Sequence, residues 1–289
     1  MSTHRWQIGH GKVIDLSEPC IVAILNITPD SFSDGGKLDT PEAAALHAER
    51  CVEAGARVLD IGGESTRPGA ERIVAAEQIA RVVPVIAEIR RRLPEIAISV
   101  DTTLAAVAQA AIDAGADIIN DVSAGEEDGE ILSLAASSGS GLILMHRLAP
   151  PTEDSYSDRY DSSPRYADVV ADVRSYLGAR MKLALDAGVK RESVVLDPGL
   201  GFGKSVEQNL ELIRRTGELC ELGAPVMSAA SRKSFVGRVS LGRDSEPSER
   251  LAGSVAVSVL HAQAGARLFR VHDPAEHAQA LRVWSATMG

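Results

Sequence analysis

An apolar run from Ser193 to Leu196 gives way abruptly to Asp197-Pro-Gly-Leu-Gly-Phe-Gly-Lys204. The run reads as a buried parallel strand. Pro198 has no N–H to give to a ladder, and Gly199, Gly201 and Gly203 let the backbone bend where a side chain would clash. A carboxylate therefore stands at the carboxyl end of a buried strand, ahead of a loop whose amides are open to a ligand. α/β folds build their sites at such places. A lone Asp-Pro-Gly serves equally well as a plain turn. What distinguishes this one is recurrence. Asn26, Gly62-Gly-Glu-Ser-Thr-Arg-Pro-Gly69, Asp101-Thr102, Asn120-Asp121, His146, Ser231-Arg-Lys-Ser234 and Arg270-Val-His272 also follow apolar runs. Polar groups after all these strands are better explained by one shared pocket than by independent solvated loops.

Their chemistry falls into two sets. Asp101, Asn120 and Asp197 are acceptors or mixed donor–acceptors, suited to a flat heterocycle rich in N–H and amine groups. Arg67, Lys233, Arg270 and His272 are donors or cations that could gather a phosphate or pyrophosphate. Asn26 offers a hard carbonyl oxygen, and one such ligand can hold a hydrated Mg²⁺ whose other ligands are phosphate oxygens and water. The sequence carries no nucleophile elbow, Walker loop or Cys/His zinc spacing.

The elements that must position these groups are legible from punctuation. Gly55, Gly115, Gly188 and Gly265 each stand where a helical stretch closes and a strand opens, the natural C′ position. Strands are expected over 20–25, 58–61, 96–100, 118–120, 142–145, 194–196, 225–227 and 268–271. Strict alternation of strand and helix implies a parallel sheet, and eight units suggest a closed (β/α)₈ TIM barrel, with a doubly wound open sheet as the alternative. Residues 7–16 read as a short hairpin before the barrel. The expected organisation is one domain over 1–289, with the hairpin in 1–19 and the barrel in 20–289. Thr40-Pro41 marks a helix start. The stretch from Asn26 to Asp39 is long for a strand-to-helix connection, which is a mark of function.

Composition narrows the classes. The 289 residues are 45% hydrophobic, with no apolar run long enough to span a membrane. No hydrophobic leader is read in residues 1–10, and Cys20, Cys51 and Cys220 lack metal or redox spacing, so a cytoplasmic location is expected. A net charge of −10 and 3% aromatics argue against nucleic acid as a partner. Small molecules remain as the expected partners.

The motif set Asn26-Ile-Thr-Pro-Asp-Ser-Phe-Ser-Asp-Gly-Gly, Gly62-Gly-Glu-Ser-Thr-Arg-Pro-Gly, Ser99-Val-Asp-Thr, Asn120-Asp-Val-Ser, Leu196-Asp-Pro-Gly-Leu-Gly-Phe-Gly-Lys, Ser231-Arg-Lys-Ser and Arg270-Val-His-Asp resembles the dihydropteroate synthase family, in order and over nearly the whole chain. The resemblance implies a folate-pathway transferase. It would join 6-hydroxymethyl-7,8-dihydropterin pyrophosphate to p-aminobenzoate by a dissociative substitution and release pyrophosphate. It implies that Asp101, Asn120, Asp197 and Lys233 hold the pterin between Met145 and Phe202. Thr66, Arg67, Arg270 and His272 would hold pyrophosphate, with Mg²⁺ through Asn26, and Phe32, Pro68, Lys233 and Ser234 would shape the p-aminobenzoate pocket. Asp34 would stabilise the pterin methylene cation. Catalytic work would thus fall on Asp34, Arg67, Lys233, Arg270 and His272. The family also implies a homodimer and sulfonamide inhibitors. A related barrel that transfers methyl groups from methyltetrahydrofolate, or a non-catalytic pterin-binding paralogue, would share part of the pocket. The Ser-Arg-Lys-Ser run and the long first loop favour the synthase.

Three further expectations come from the residues. The loop from Arg147 to Pro164 is longer than the family pattern and free of glycine, as in a surface insertion. His261 and His277, in helical stretches, are expected at the surface. The first two loops should be ordered by pyrophosphate, so that p-aminobenzoate binds well only after it.

Overall fold

The computed structural model describes residues 4–27 and 40–288. Gly55, Gly115, Gly188 and Gly265 adopt φ of 107°, 112°, 100° and 116°. These values are closed to most side chains, and they turn the end of each helix into the next strand.

A two-stranded antiparallel ribbon comes first, β1 (Arg5–Gln7) and β2 (Val13–Asp15). The parallel strands are β3 (Cys20–Asn26), β4 (Ala56–Gly62), β5 (Ala97–Asp101), β6 (Ile118–Asp121), β7 (Gly141–Met145), β8 (Val194–Asp197), β9 (Met227–Ser228) and β10 (Leu268–Val271). Their order, β8-β7-β6-β5-β4-β3-β10-β9, is that of a TIM barrel. A bridge between Leu196 and Val226 brings the two ends of the sheet together, and Leu196 N donates to Pro225 O at 2.9 Å. The doubly wound alternative is thereby excluded. The seventh barrel strand is shorter and later than expected.

Outside the barrel run α1 (Pro41–Glu53), α2 (Ala75–Arg92), α3 (Ala105–Asp113), α4 (Glu130–Ser138), α5 (Val169–Asp186), α6 (Val206–Arg214), α7 (Thr216–Cys220), α8 (Ser234–Leu241), α9 (Leu251–Gln263) and α10 (Pro274–Met288). Thr40 caps α1 through Ala43 N, Asp168 caps α5, and Ser205 with Gln208 forms a capping box on α6. No described helix is long and apolar enough to cross a membrane.

The two-residue period of the strands divides their side chains cleanly. Outward residues such as Leu59, Ile61, Ile98, Ile119, Leu144 and Phe269 join the helices in two apolar clusters. Inward residues Val22, Val58, Ala97, Ile118, Ile143, Val195, Met227 and Leu268 pack on Trp6, Ile8, Ile14 and Leu16 of the ribbon. The ribbon is thus a plug for the amino-terminal end of the barrel. Trp6 is fully buried, and its Nε1 donates to Ser193 O at 2.9 Å.

His261 and His277 are fully buried, contrary to the surface placement expected. Ser258 Oγ lies 2.9 Å from His277 Nδ1. Small side chains along α9 let α10 pack closely over these rings, and burial pushes both imidazoles down to about 4.

Candidate active site

Two residues up from the apolar plug, the inward face of four strands turns polar. Val58 is followed by Asp60, Ile118 by Asn120, Val195 by Asp197 and Leu268 by Arg270, while Ile143 is followed by the apolar Met145. Asp101 ends β5 in the same way. The alternation that fills the barrel with Val and Ile therefore also builds a polar layer at the carboxyl end.

The layer is centred on Arg270. Its Nε donates to Asp60 Oδ2 at 2.6 Å and its Nη2 to Asp101 Oδ2 at 2.7 Å. Asn120 Nδ2 donates to the same Asp60 oxygen at 3.1 Å. Burial works against the Arg270 charge, but Asp60 and Asp101 outweigh it and keep the guanidinium ionised. Two carboxylates thus share one cation. Burial raises Asp101 to about 7 against the pull of Arg270, and Asp60 adds to the rise. Asp60 Oδ1 and Asn120 Oδ1 are buried acceptors with no hydrogen-bond partner among the described residues. Such atoms suit a ligand that brings N–H groups.

The pattern of polar groups after strands does not reveal Asp60. Asp60 sits inside one. The signal was there: a carboxylate in the otherwise apolar Val58-Leu-Asp-Ile.

Asp197 is buried, and its Oδ1 accepts from Gly199 N at 2.7 Å. Burial raises its pKa against the opposing charge of Lys233. Lys233 lies over the Phe202 ring, 4.3 Å from the centroid, and donates to Leu200 O. Burial lowers it to about 8, with Asp197 resisting. Arg232 has φ 60°, and its Nε donates to Asp273 Oδ2 at 2.9 Å. This left-handed residue, tied to the end of the barrel's last strand, turns the chain so that Lys233 reaches the mouth and Ser234 begins α8.

The glycine loop is held from below by Lys204, which sequence reading left without a role. It is fully buried, and its Nζ lies 2.9 Å from His146 Nδ1, 3.0 Å from Gly199 O and 2.8 Å from Phe202 O. Three acceptors satisfy its three protons. Burial lowers Lys204 to about 7 and His146 to about 2. A Cβ at Gly199, where φ is 66°, would come within 1.7 Å of His146 O. Only glycine fits there.

The loop after β7 does more than an ordinary insertion. Asp154 Oδ2 accepts from Gly203 N at 3.0 Å, and Tyr166 Oη donates to Gly203 O at 2.8 Å. Gly69 N also donates to Pro151 O at 2.8 Å. This loop therefore braces both the glycine loop and the loop after β4.

The cationic set is only partly gathered. Arg270 points into the barrel, with two of its nitrogens engaged by carboxylates. Ser231 Oγ accepts from His272 N at 3.2 Å and lies 3.2 Å from His272 Nδ1, and burial followed by the charges of Arg232 and Arg270 lowers the imidazole to about 3. Arg67 also contributes to that lowering, so its charge reaches His272. Thr66 and Pro68 are half-buried beside an exposed Arg67. Phe32 and Asp34 lie outside the described residues.

Asn26 ends β3 at the rim. A Cβ at Gly62 would lie 3.5 Å from Asn26 Oδ1 and 3.6 Å from Asp101 Cβ, so the missing side chain leaves a cradle beside the carboxamide oxygen. No cluster of three His, Cys, Asp or Glu able to hold a metal occurs among the described residues. The donor set fits a hard cation whose remaining ligands come from an anionic ligand and water.

Comparison with known proteins bears on this mouth. Residues 22–272 match the family model described as pterin binding enzyme. The dihydropteroate synthase of Streptococcus pyogenes is 41% identical over 278 residues, 96% of this chain and 99% of the relative. A structure of Xanthomonas albilineans dihydropteroate synthase with 4-aminobenzoic acid superposes with a TM-score of 0.89 at 42% identity, covering 100% of this chain and 99% of that one. A Yersinia pestis dihydropteroate synthase structure with a sulfonamide drug complex gives a TM-score of 0.88 at 39% identity, covering 97% and 98%.

Proposed function

Because the chain belongs to the dihydropteroate synthase family of pterin-binding enzymes, we propose that its polar barrel layer seats a dihydropterin and that the loops above it handle pyrophosphate and the aromatic amine. The reaction is the joining of 6-hydroxymethyl-7,8-dihydropterin pyrophosphate to p-aminobenzoate in folate biosynthesis. The observation that carries the seating is the set of buried acceptors, Asn120 Oδ1 and the carboxylates of Asp101 and Asp197, at the one layer where the barrel interior is polar. They complement ring N–H and exocyclic amine donors. Met145 and Phe202 supply apolar walls. Asp60 is added to this set as the residue that orients Asn120 and Arg270.

Thr66, Arg67, Arg270 and His272 would hold the pyrophosphate. The His272 ring, kept neutral by burial, gives a hydrogen bond rather than a charge. Asn26 would hold Mg²⁺, which when bound neutralises charge on the departing pyrophosphate. Substitution is dissociative in this reading. The pterin ring delocalises the methylene cation as the C–O bond to pyrophosphate breaks, and the unprotonated amine of p-aminobenzoate then attacks the methylene carbon and gives up one N–H proton to water. Asp34 would stabilise the cation. Pro68, Ser234, Lys233 and Phe32 would shape the amine's pocket, and a sulfonamide would compete there. A homodimer would form on the outer face of α9, where Leu260 is 56% exposed in line with the exposed Ala252 and Ala256. One cytoplasmic domain over 1–289 completes the reading.

Calorimetric titration with a dihydropterin tests the seat. Asp197→Asn presents a donor to a donor and should weaken binding at least tenfold, since losing a charge-assisted bond in a dry pocket costs about 1.5–3 kcal/mol. Unchanged affinity in a folded variant would remove the assignment.

A further inference from the structure

The loop after β4 begins and ends on one carboxylate. Glu64 Oε1 accepts from Ile73 N at 2.8 Å and from Arg72 Nε at 3.1 Å, which draws the two ends together and leaves Thr66, Arg67 and Pro68 on the tip. Arg72 then reaches out of its own loop. Its Nη1 donates to both oxygens of Glu127 at 2.6 Å, and its Nη2 to Thr103 Oγ1 at 3.0 Å. Glu127 also accepts from Arg147 and from the Thr103 hydroxyl. Groups from the loops after β4, β5 and β7 thus converge on one side chain of the loop after β6. Forked Arg–carboxylate pairing fixes orientation as well as distance.

We propose that Glu127 and Arg72 form a latch that holds the tip of this loop at a set height over the mouth, making both positioning residues for the pyrophosphate and the aromatic amine. They do not serve the pterin ring, since neither contacts the polar layer. The inference rests on the roles proposed above for Thr66, Arg67 and Pro68. The latch would act together with the ordering by pyrophosphate expected of this loop.

The test is steady-state kinetics beside calorimetry on the full chain. Glu127→Gln should raise KM for p-aminobenzoate about tenfold, as a misplaced positioning contact does. Affinity for a 6-hydroxymethylpterin lacking the diphosphate should not move. Arg72→Met, at the more exposed partner, should give the same pattern and guards against a folding defect at Glu127. In an Arg67→Ala background, Glu127→Gln should cost nothing further, because the latch acts through the tip. Equal losses in pterin and amine affinity, or losses that add fully to Arg67→Ala, would reduce Glu127 to a structural residue and overturn the proposal. An impaired Arg67→Ala beside wild-type Glu127→Gln and Arg72→Met would overturn the latch alone. Wild-type kinetics in Arg67→Ala would overturn the role given to the loop, and the latch with it.

Discussion

Asp101 cannot be understood without Asp60. Both lean on Arg270, and burial together with the second carboxylate holds Asp101 near 7. A folded pKa above the unfolded value, about 4, means the native state keeps a proton the unfolded chain releases, so this group's contribution to stability declines as pH rises from about 4 to about 7. Pterin binding runs the opposite way, because the ionised carboxylate is the better acceptor. Affinity should rise up to tenfold per pH unit below about 7 and level off above it, and binding at pH 6 should release a proton to buffer. Calorimetry in buffers of different ionisation enthalpy reads this directly. Asp60→Asn removes the competing charge and should move the midpoint to lower pH; Asp101→Asn should flatten the profile. A flat profile in the wild type would mean that Asp101 does not face the pterin.

Strand ends carry most of what this sequence discloses, and the glycine loop after β8 shows why. Each glycine that closes a helix is a local event, read from a few residues, and Gly55, Gly115, Gly188 and Gly265 all fall where they were expected. Asp101, Asn120 and Asp197 were legible for the same reason: an apolar run stops and a polar residue follows. Arg270 was placed, but its pairing was not, since Asp60 lies 210 residues away and no local pattern encodes that contact. The burial of His261 and His277 was also hidden. The small residues of α9 give no strong apolar stripe from which to tell the inner face.

Gly199 and Gly139 separate two effects at this scale. Both have positive φ, 66° and 68°, but a Cβ at Gly139 would meet nothing within 4 Å. Gly139→Ala should lower stability by about 1 kcal/mol and leave pterin affinity unchanged. Gly199→Ala must displace the loop from His146 O and should weaken pterin binding in addition. Thermal melts paired with pterin titration of both variants check it, and equal behaviour would remove the packing argument.

For the whole molecule, chemistry and stability sit at opposite ends of the barrel. The ribbon fills the amino-terminal end, so Trp6→Ala should cost about 3–5 kcal/mol as a large buried ring is deleted, with KM unchanged in the protein that remains folded. Denaturant melts and kinetics on one preparation test both halves of that statement. The outer face of α9 is the proposed contact between copies, and Leu260→Asp should convert a dimer to monomers in sedimentation at micromolar concentration. A wild type that sediments as a monomer would contradict the dimer. With Mg²⁺, dihydropterin pyrophosphate and p-aminobenzoate, the protein should release one pyrophosphate for each dihydropteroate formed, followed by chromatography of the product beside a coupled pyrophosphate assay. Absence of dihydropteroate from protein that binds the pterin would contradict it and leave a pterin-binding barrel without synthase activity.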